Sequence, residues 1–317
     1  MTKGLRHTAV VLFLTAMATA AEATGQHEIV FPEAGALCVG LWLMPKAVWN
    51  VRGRQIPLLL TGAALIGWGI NLLLPVGFEI RFLLAFCAVV LMLRTVRCNM
   101  YPVVSAAMLP VLIDTTSWVY PVSVVVISIL LAVGHRWMPQ TERVEYCPYG
   151  LRHWFWLAAA VALFVAIGFA ARMLLPGAWG ARVHYCMVPP LVVTMIEFSN
   201  RRSGFRKRPW TVWGLIVAAA AVGTAAELWL HRAAGMPTAV GVAVAAVVVL
   251  LLFRRYKPFA PAMAITLVPL LLPDGVLPWF PLFAALGAAY FIAAGILTAP
   301  ANGFAHKDTD NSPDSLQ

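Results

Sequence analysis

Long apolar runs alternate with short polar interruptions along the whole chain. Bounded by proline, glycine and charge, these runs give candidate helices near residues 8–24, 28–45, 56–74, 81–97, 101–114, 118–135, 153–175, 183–199, 210–230, 237–253, 258–273 and 278–298. A helix that crosses a bilayer needs about 20 predominantly apolar residues, so the pattern predicts an all-α, polytopic transmembrane bundle of about twelve segments. Two runs are short. The 14 residues of 101–114 rise about 21 Å as a helix, less than the roughly 30 Å of the hydrocarbon core, and prolines flank both this run and 258–273. Two readings stand for them. Each is a half-helix or re-entrant segment facing a cavity, since free backbone groups cannot face lipid, or each is a tilted or kinked ordinary span.

The longest polar interruption is His135–Arg152, with Pro139, Glu142, Glu145 and Pro148. It divides the chain into a first transmembrane unit (1–136), a cytoplasmic linker (137–152) and a second unit (153–300). A polar stretch, 301–317, follows as an expected disordered tail. The two units share an ordered set of features. Phe31-Pro32-Glu33-Ala34-Gly35-Ala36 matches Val188-Pro189-Pro190-Leu191, and the basic turn Val51-Arg52-Gly53-Arg54-Gln55 matches Phe205-Arg206-Lys207-Arg208-Pro209. Leu93-Arg94 and the stretch Pro102–Pro110 reappear as Phe253-Arg254 and Pro261–Pro269, and Trp118-Val119-Tyr120-Pro121 answers Trp279-Phe280-Pro281. Six spans per unit is an even number, which implies parallel repeats related by an axis along the membrane normal.

Composition excludes an ordinary soluble domain: of 317 residues 61% are hydrophobic and 11% charged, against about 45–50% and about 25% in soluble domains. The formal charge of +10 sits in short loops rather than on an aromatic-laced soluble face, which speaks for membrane orientation and against nucleic acid as a partner. One phase of the loop count collects Lys46, Arg52, Arg54, Arg97, Arg136, Arg143, Arg152, Arg201, Arg202, Arg206, Lys207, Arg208, Arg254, Arg255 and Lys257. Both termini are therefore expected in the cytoplasm of a cell whose inner or plasma membrane holds the chain. Residues 1–24 fit either a first span or a cleaved signal peptide, with Lys3 and Arg6 before an apolar run and small residues after it. Cys38, Cys87, Cys98, Cys147 and Cys186 are scattered without the spacing of a zinc or redox site.

Charge inside the apolar pattern marks the candidate chemistry. Arg94 and Arg254 hold matching places at the ends of two long runs. They either snorkel to the headgroups or, with the N-termini of the short helices that follow, form an anion-attracting substrate site together with Pro102, Ser105, Pro261 and Thr266. Arg97, Asn99, Arg255 and Lys257 would then line its cytoplasmic rim. Glu33, directly after Pro32, is either a proton-coupling carboxylate or a headgroup residue; Glu197 and Glu227 are weaker candidates, and His184 reads as interfacial. The small pairs Ala63/Gly67, Ala219/Gly223 and Ala284/Ala288 allow close helix approach. No phosphate loop, nucleophile elbow or metalloprotease motif is present, so neither catalysis nor a cofactor or metal is implied.

Residues 28–136 resemble the integral membrane family named for a His-Pro-Pro signature. The Pro-x-x-Gly-Ala opening is here Pro32-Glu33-Ala34-Gly35-Ala36, and the Met-Leu-x-Arg-Thr stretch is here Met92-Leu93-Arg94-Thr95, without the intervening residue. Where the family signature is due the chain has Tyr101-Pro102-Val103-Val104. Its second-half equivalent is Lys257-Pro258-Phe259-Ala260 or Ala260-Pro261-Ala262. The resemblance implies compact bundles of five or six spans per unit and membrane transport, since plant members are associated with moving nitrite across the chloroplast envelope. The expected function is thus a permease for a small solute, an anion, working between the two units and in contact with membrane lipid. The competing reading is a non-transporting scaffold that uses the basic loop Arg201–Arg208 to hold a partner protein or anionic lipid.

Overall fold

Prolines, glycines and a few polar side chains decide where each helix starts and stops. Helix α1 (Lys3–Thr24) opens on Thr2, whose hydroxyl accepts from the Leu5 N–H, and closes on Gly25 at φ +67°. Helix α2 (Glu33–Cys38) begins at Pro32 and continues without a break into a π-helical turn, Val39–Leu43. Helix α3 (Gln55–Leu73) and helix α4 (Phe78–Val96) follow. Arg97 ends α4 at φ 54°, and the Cys98 N–H reaches back to the Leu93 carbonyl, a left-handed cap made by a residue other than glycine. Helices α5 (Pro102–Leu112) and α6 (Val119–Trp137) complete the first half. The second half contains α7 (Leu151–Leu174), the short α8 (Ala178–Arg182), α9 (Pro189–Ser199) and α10 (Pro209–Ala225), the last running on through a π-helical stretch, Ala226–Ala233. It closes with α11 (Thr238–Arg255), α12 (Ala260–Leu267) with a 3-10 extension Val268–Leu271, and α13 (Phe280–Thr298).

This computed structural model describes residues 2–138, 140, 149–201 and 203–299, and within them the regular structure is helical, without strands. Pro139, Glu142, Arg143, Glu145, Cys147, Pro148, Arg202 and the tail expected at 301–317 lie outside the described residues.

Seven helices among the described residues are long and apolar enough to cross a membrane: Gly4–Thr24, Gln55–Leu73, Val119–Trp137, Leu151–Leu174, Pro209–Ala233, Thr238–Arg255 and Leu277–Thr298. Helix α4 has the length, at 19 residues, but carries Glu79, Arg81 and Arg94. The remaining apolar helices are short, and there are more of them than the sequence suggests. Besides α5 and α12, the runs 28–45 and 183–199, expected as full spans, are broken: α2 with its π turn follows a 3-10 turn at His27–Ile29, and the 11-residue α9 follows another at Val183–Met187. An 11-residue helix rises about 16 Å, half of the hydrocarbon thickness. The cause is local: Pro32 and the pair Pro189-Pro190 delay the start of helix within runs that remain apolar throughout.

The short helices form the centre. Every residue of α2, α5 and α12 is buried, and all of α9 except Glu197. They pack across the two halves, α2 against α12 and α5 against α9, while the long helices surround them. The outer ring also crosses over, with α1 against α11 and α7 against α4. Glu22, near the end of α1, accepts from the first N–H of α11 at Thr238 (2.8 Å), and Arg172, near the end of α7, pairs with Glu79 in the first turn of α4 (3.5 Å). Small residues permit these approaches. Gly67 of α3 lies so close to the Ala107 carbonyl of α5 that a methyl group would overlap it, and Gly223 of α10 stands in the same relation to the Thr266 carbonyl of α12. Of the expected packing residues, Ala63, Ala219, Ala284 and Ala288 are fully buried. On α13 the tightest contacts are instead at Gly287, against the Cys186 carbonyl, and Gly295, 2.5 Å from the Met195 carbonyl by the same measure.

Outward faces carry exposed Leu12, Leu58, Leu91, Val126, Leu163, Val244 and Leu286, as lipid contact requires. Six exposed tryptophans sit at helix ends: Trp137, Trp156 and Trp210 on one side and Trp118, Trp229 and Trp279 on the other. Two such girdles mark the two interfaces of a membrane protein.

Candidate functional site

Hydrogen bonds sort the loops into two ends. At the first end the short helices α2 and α9 finish, and their last carbonyls, without helical partners, need donors because water is scarce there. Arg6 donates to Trp42 O (3.0 Å), His135 Nδ1 lies 3.3 Å from Leu41 O, and Gln140 donates to Gly40 O (2.7 Å) and Met44 O (3.0 Å). In the second half Ser199 donates to Ile196 O (2.7 Å), and Arg206 donates to Phe198 O (2.8 Å) and Ile296 O (3.0 Å). Its guanidinium is thus held in the fold, and burial together with Arg201 lowers its pKa. A scaffold reading of this basic loop therefore loses one of its cations.

At the opposite end each half carries a polar triad. Asn71 donates to Pro110 O (2.7 Å) and Thr115 O (3.1 Å), while Arg81 donates to the Asn71 side chain (2.9 Å) and to Asp114 (2.7 Å). In the second half Arg232 donates to Glu227 through Nε (3.0 Å) and pairs with Asp274. Thr115 also donates to Glu28 (3.2 Å), and His184 stacks near Phe78, with ring centroids 5.2 Å apart.

Between these ends lies the meeting point of the short helices. Glu33, in the first turn of α2, is 1% exposed, and neither carboxyl oxygen has a hydrogen-bond partner. Of its two expected positions it occupies the protein interior, not a headgroup edge. The Ser105 hydroxyl of α5 lies within interaction range of that carboxyl, and so does Glu33's own backbone N–H, yet neither bond is made. Ser105 is itself 1% exposed and unpartnered. Gly35, two residues on, rests against the Met263 carbonyl of α12, where an added Cβ would be 3.0 Å from the oxygen. Helix α2 is thus flanked by α5 at Glu33 and by α12 at Gly35.

The other sequence-predicted residues distribute unevenly. Pro102 and Pro261 are buried at the starts of α5 and α12, and Thr266 turns its hydroxyl back to Ala262 O (3.0 Å). Arg94 is half-buried, with Nη1 buried and lacking an acceptor, whereas Arg254 is exposed. Their helices pack on different neighbours, α4 on α3, α5 and α7, α11 on α1, α10 and α12, so the structure does not bring the two arginines together. Sequence equivalence fixes position along a helix, not which neighbour covers it. Of the expected rim, Arg97, Arg255 and Lys257 are exposed, and Asn99 is engaged by the Asn50 N–H. Glu197 is near Trp49, and Glu227 is held by Arg232.

A small cavity of about 10 Å³, room for one water, lies beside Glu227 between Gly223, Gly241, Thr238 and Thr266. The two triads and the carbonyl-capping cations were not legible as sites in the sequence; charged residues next to span ends were the only signal. The chain matches no protein-family model, no curated protein and no solved structure.

Proposed function

We propose that the chain is a membrane permease for a small solute, an anion such as nitrite, built from two parallel six-helix units, 1–136 and 153–300. The solute passes along the seam where α2 and α12 of opposite units meet α5 and α9. One observation carries this reading: four short helices, contributed equally by both halves, start or stop inside the molecule, and one of them, α2, carries a buried, unpartnered carboxyl. Interrupted helices at membrane depth are tolerated where they are buried in protein or line a path, and crossed pairs of half-length helices between repeats are how many transporters build their binding sites.

The duplication is supported by more than sequence. Gly67 with Ala107 and Gly223 with Thr266 make the same crossing, and the triads of Arg81 and Arg232 close equivalent ends. The end that holds Arg6, Lys46, Arg52, Arg54, Arg136, Arg152 and Arg206 is the cytoplasmic one, by the excess of basic residues in its loops. The anion class draws on the half-buried Arg94 guanidinium and on the resemblance of residues 28–136 to the His-Pro-Pro family.

Purified protein in liposomes tests the reading. Nitrite, nitrate or a small carboxylate should move down its gradient faster than into protein-free liposomes. Rates equal to the protein-free control for all three would refute it.

A further inference from the structure

Glu33 sits in a place suited to a negative charge that is not its own. Helix α5, with 11 residues, brings its first turn against α2 at this point, and a helix N-terminus carries partial positive charge. Ser105 adds an open donor. Elsewhere in the buried short helices Thr194 and Thr266 donate to the carbonyl four residues back, the usual resort of a helical hydroxyl. Ser105 does not, and its hydroxyl is left without a partner, within range of the Glu33 carboxyl.

Among the described residues no cation pairs with the Glu33 carboxyl; Lys3, His7 and Arg136 sit at the ends of α1 and α6 away from its first turn. Helices α5 and α12 carry no titratable side chain. From α6, Tyr120 faces Glu33 but gives its hydroxyl hydrogen to Ala106 O (2.6 Å), and His135, at the far end of α6, is at Leu41 O. From α1, Arg6 is committed to Trp42 O and Glu22 to Thr238. Cys38 lies a turn beyond Glu33 on α2 itself, and Glu28, before α2, accepts from Thr115.

We propose that the Glu33 carboxylate is a built-in occupant of the permeant anion's site, and that a proton must join it before a small anion takes its place beside Ser105. This rests on the permease reading and names the ion that the seam admits and the step that admits it. The chemistry is a single protonation: the carboxylate accepts one proton to become the neutral acid, no other bond changes, and the arriving anion restores the lost negative charge. An ionised Glu33 would repel a second anion a few ångströms away. The site thus couples one proton taken up to one anion admitted.

Nitrate flux into proteoliposomes, followed across pH for the wild type and Glu33→Gln, tests this. Wild-type flux should fall roughly tenfold from about pH 7 to about pH 9, whereas Glu33→Gln, neutral at every pH, should pass nitrate at the neutral-pH wild-type rate throughout. Ser105→Ala should raise the apparent KM for nitrate several-fold and leave the pH profile in place. If Glu33→Gln does not fold, thermal stabilisation of the wild type by nitrate decides the matter, and it should be larger at neutral than at alkaline pH. A Glu33→Gln profile that still follows the wild type, nitrate stabilisation indifferent to pH, or passage of sodium in place of nitrate would overturn the proposal and leave the permease standing. Wild-type protein that moves no anion at any pH would overturn both.

Discussion

The two halves of the molecule solve the same packing problem with different polar groups. At the crossing of α3 and α5, Gly67 meets a carbonyl and, four residues on, the Asn71 amide ties down Pro110 O and Thr115 O directly. At the crossing of α10 and α12, Gly223 meets a carbonyl and, four residues on, Glu227 offers only acceptors, so that Arg232 must hold it and Asp274 together. The centre is unequal in the opposite sense: the α2 turn brings Glu33 to Ser105, where the α9 turn has Pro190 and α12 has Ala264. Backbone spacing is what the halves share, since a glycine against a carbonyl leaves no latitude, while polar groups vary wherever some partner can satisfy them. The half with the open carboxyl at its centre is also the half in which an uncharged amide, itself held by Arg81, meets the carbonyls at the crossing.

Substitutions can break or sharpen this contrast. The largest effect is expected at the shared crossings: Gly67→Val and Gly223→Val should each cost about 3 kcal/mol or more through overpacking against backbone. Gly241→Ala, where the added carbon meets the nearest atom at 3.4 Å, should be near neutral. Thermal melts in detergent separate these outcomes.

Next comes the difference between the triads. Arg232→Ala leaves the Glu227 carboxylate, 8% exposed in its side chain, without a partner, and should cost about 2–4 kcal/mol. Arg81→Ala should cost about 1 kcal/mol, because Asn71 keeps both of its carbonyl bonds. Equal losses in the two variants, measured by denaturation of the reconstituted protein, would show that the halves do not differ as described. Arg206→Gln should cost about 1–2 kcal/mol through the two carbonyls it leaves open, and His135→Ala less, since Gln140 and Arg6 share the equivalent duty. The smallest effect is expected for Glu22→Ala, which removes a single cap on α11 and should cost about 0.5–1 kcal/mol.

Much of this architecture was legible in the residues. The positions of α3, α6, α7, α10, α11 and α13 followed from apolar length, and the shortness of α5 and α12 followed from Pro102, Pro110, Pro261 and Pro269. The shortness of α2 and α9 did not, because the runs 28–45 and 183–199 are largely apolar over close to a span's length, and a helix buried on every side has no polar stripe to give it away. Glu33 could be named but not placed: a carboxylate after a proline at the head of an apolar run looks alike whether headgroups or helices cover it. The matched arginines illustrate the converse, since α7 packs along α4 and α1 along α11, and the same position meets different surroundings at Arg94 and Arg254.

The seam itself can be probed at Ser105. With the five native cysteines replaced and Ser105→Cys introduced, a small membrane-impermeant thiol reagent added during nitrate flux should label the position, block the flux, and be slowed by excess nitrate. Full nitrate flux from protein whose residue 105 stays unlabelled throughout turnover, while Arg54→Cys, exposed at the start of α3, reacts in a parallel variant, would contradict a pathway through the meeting of the short helices.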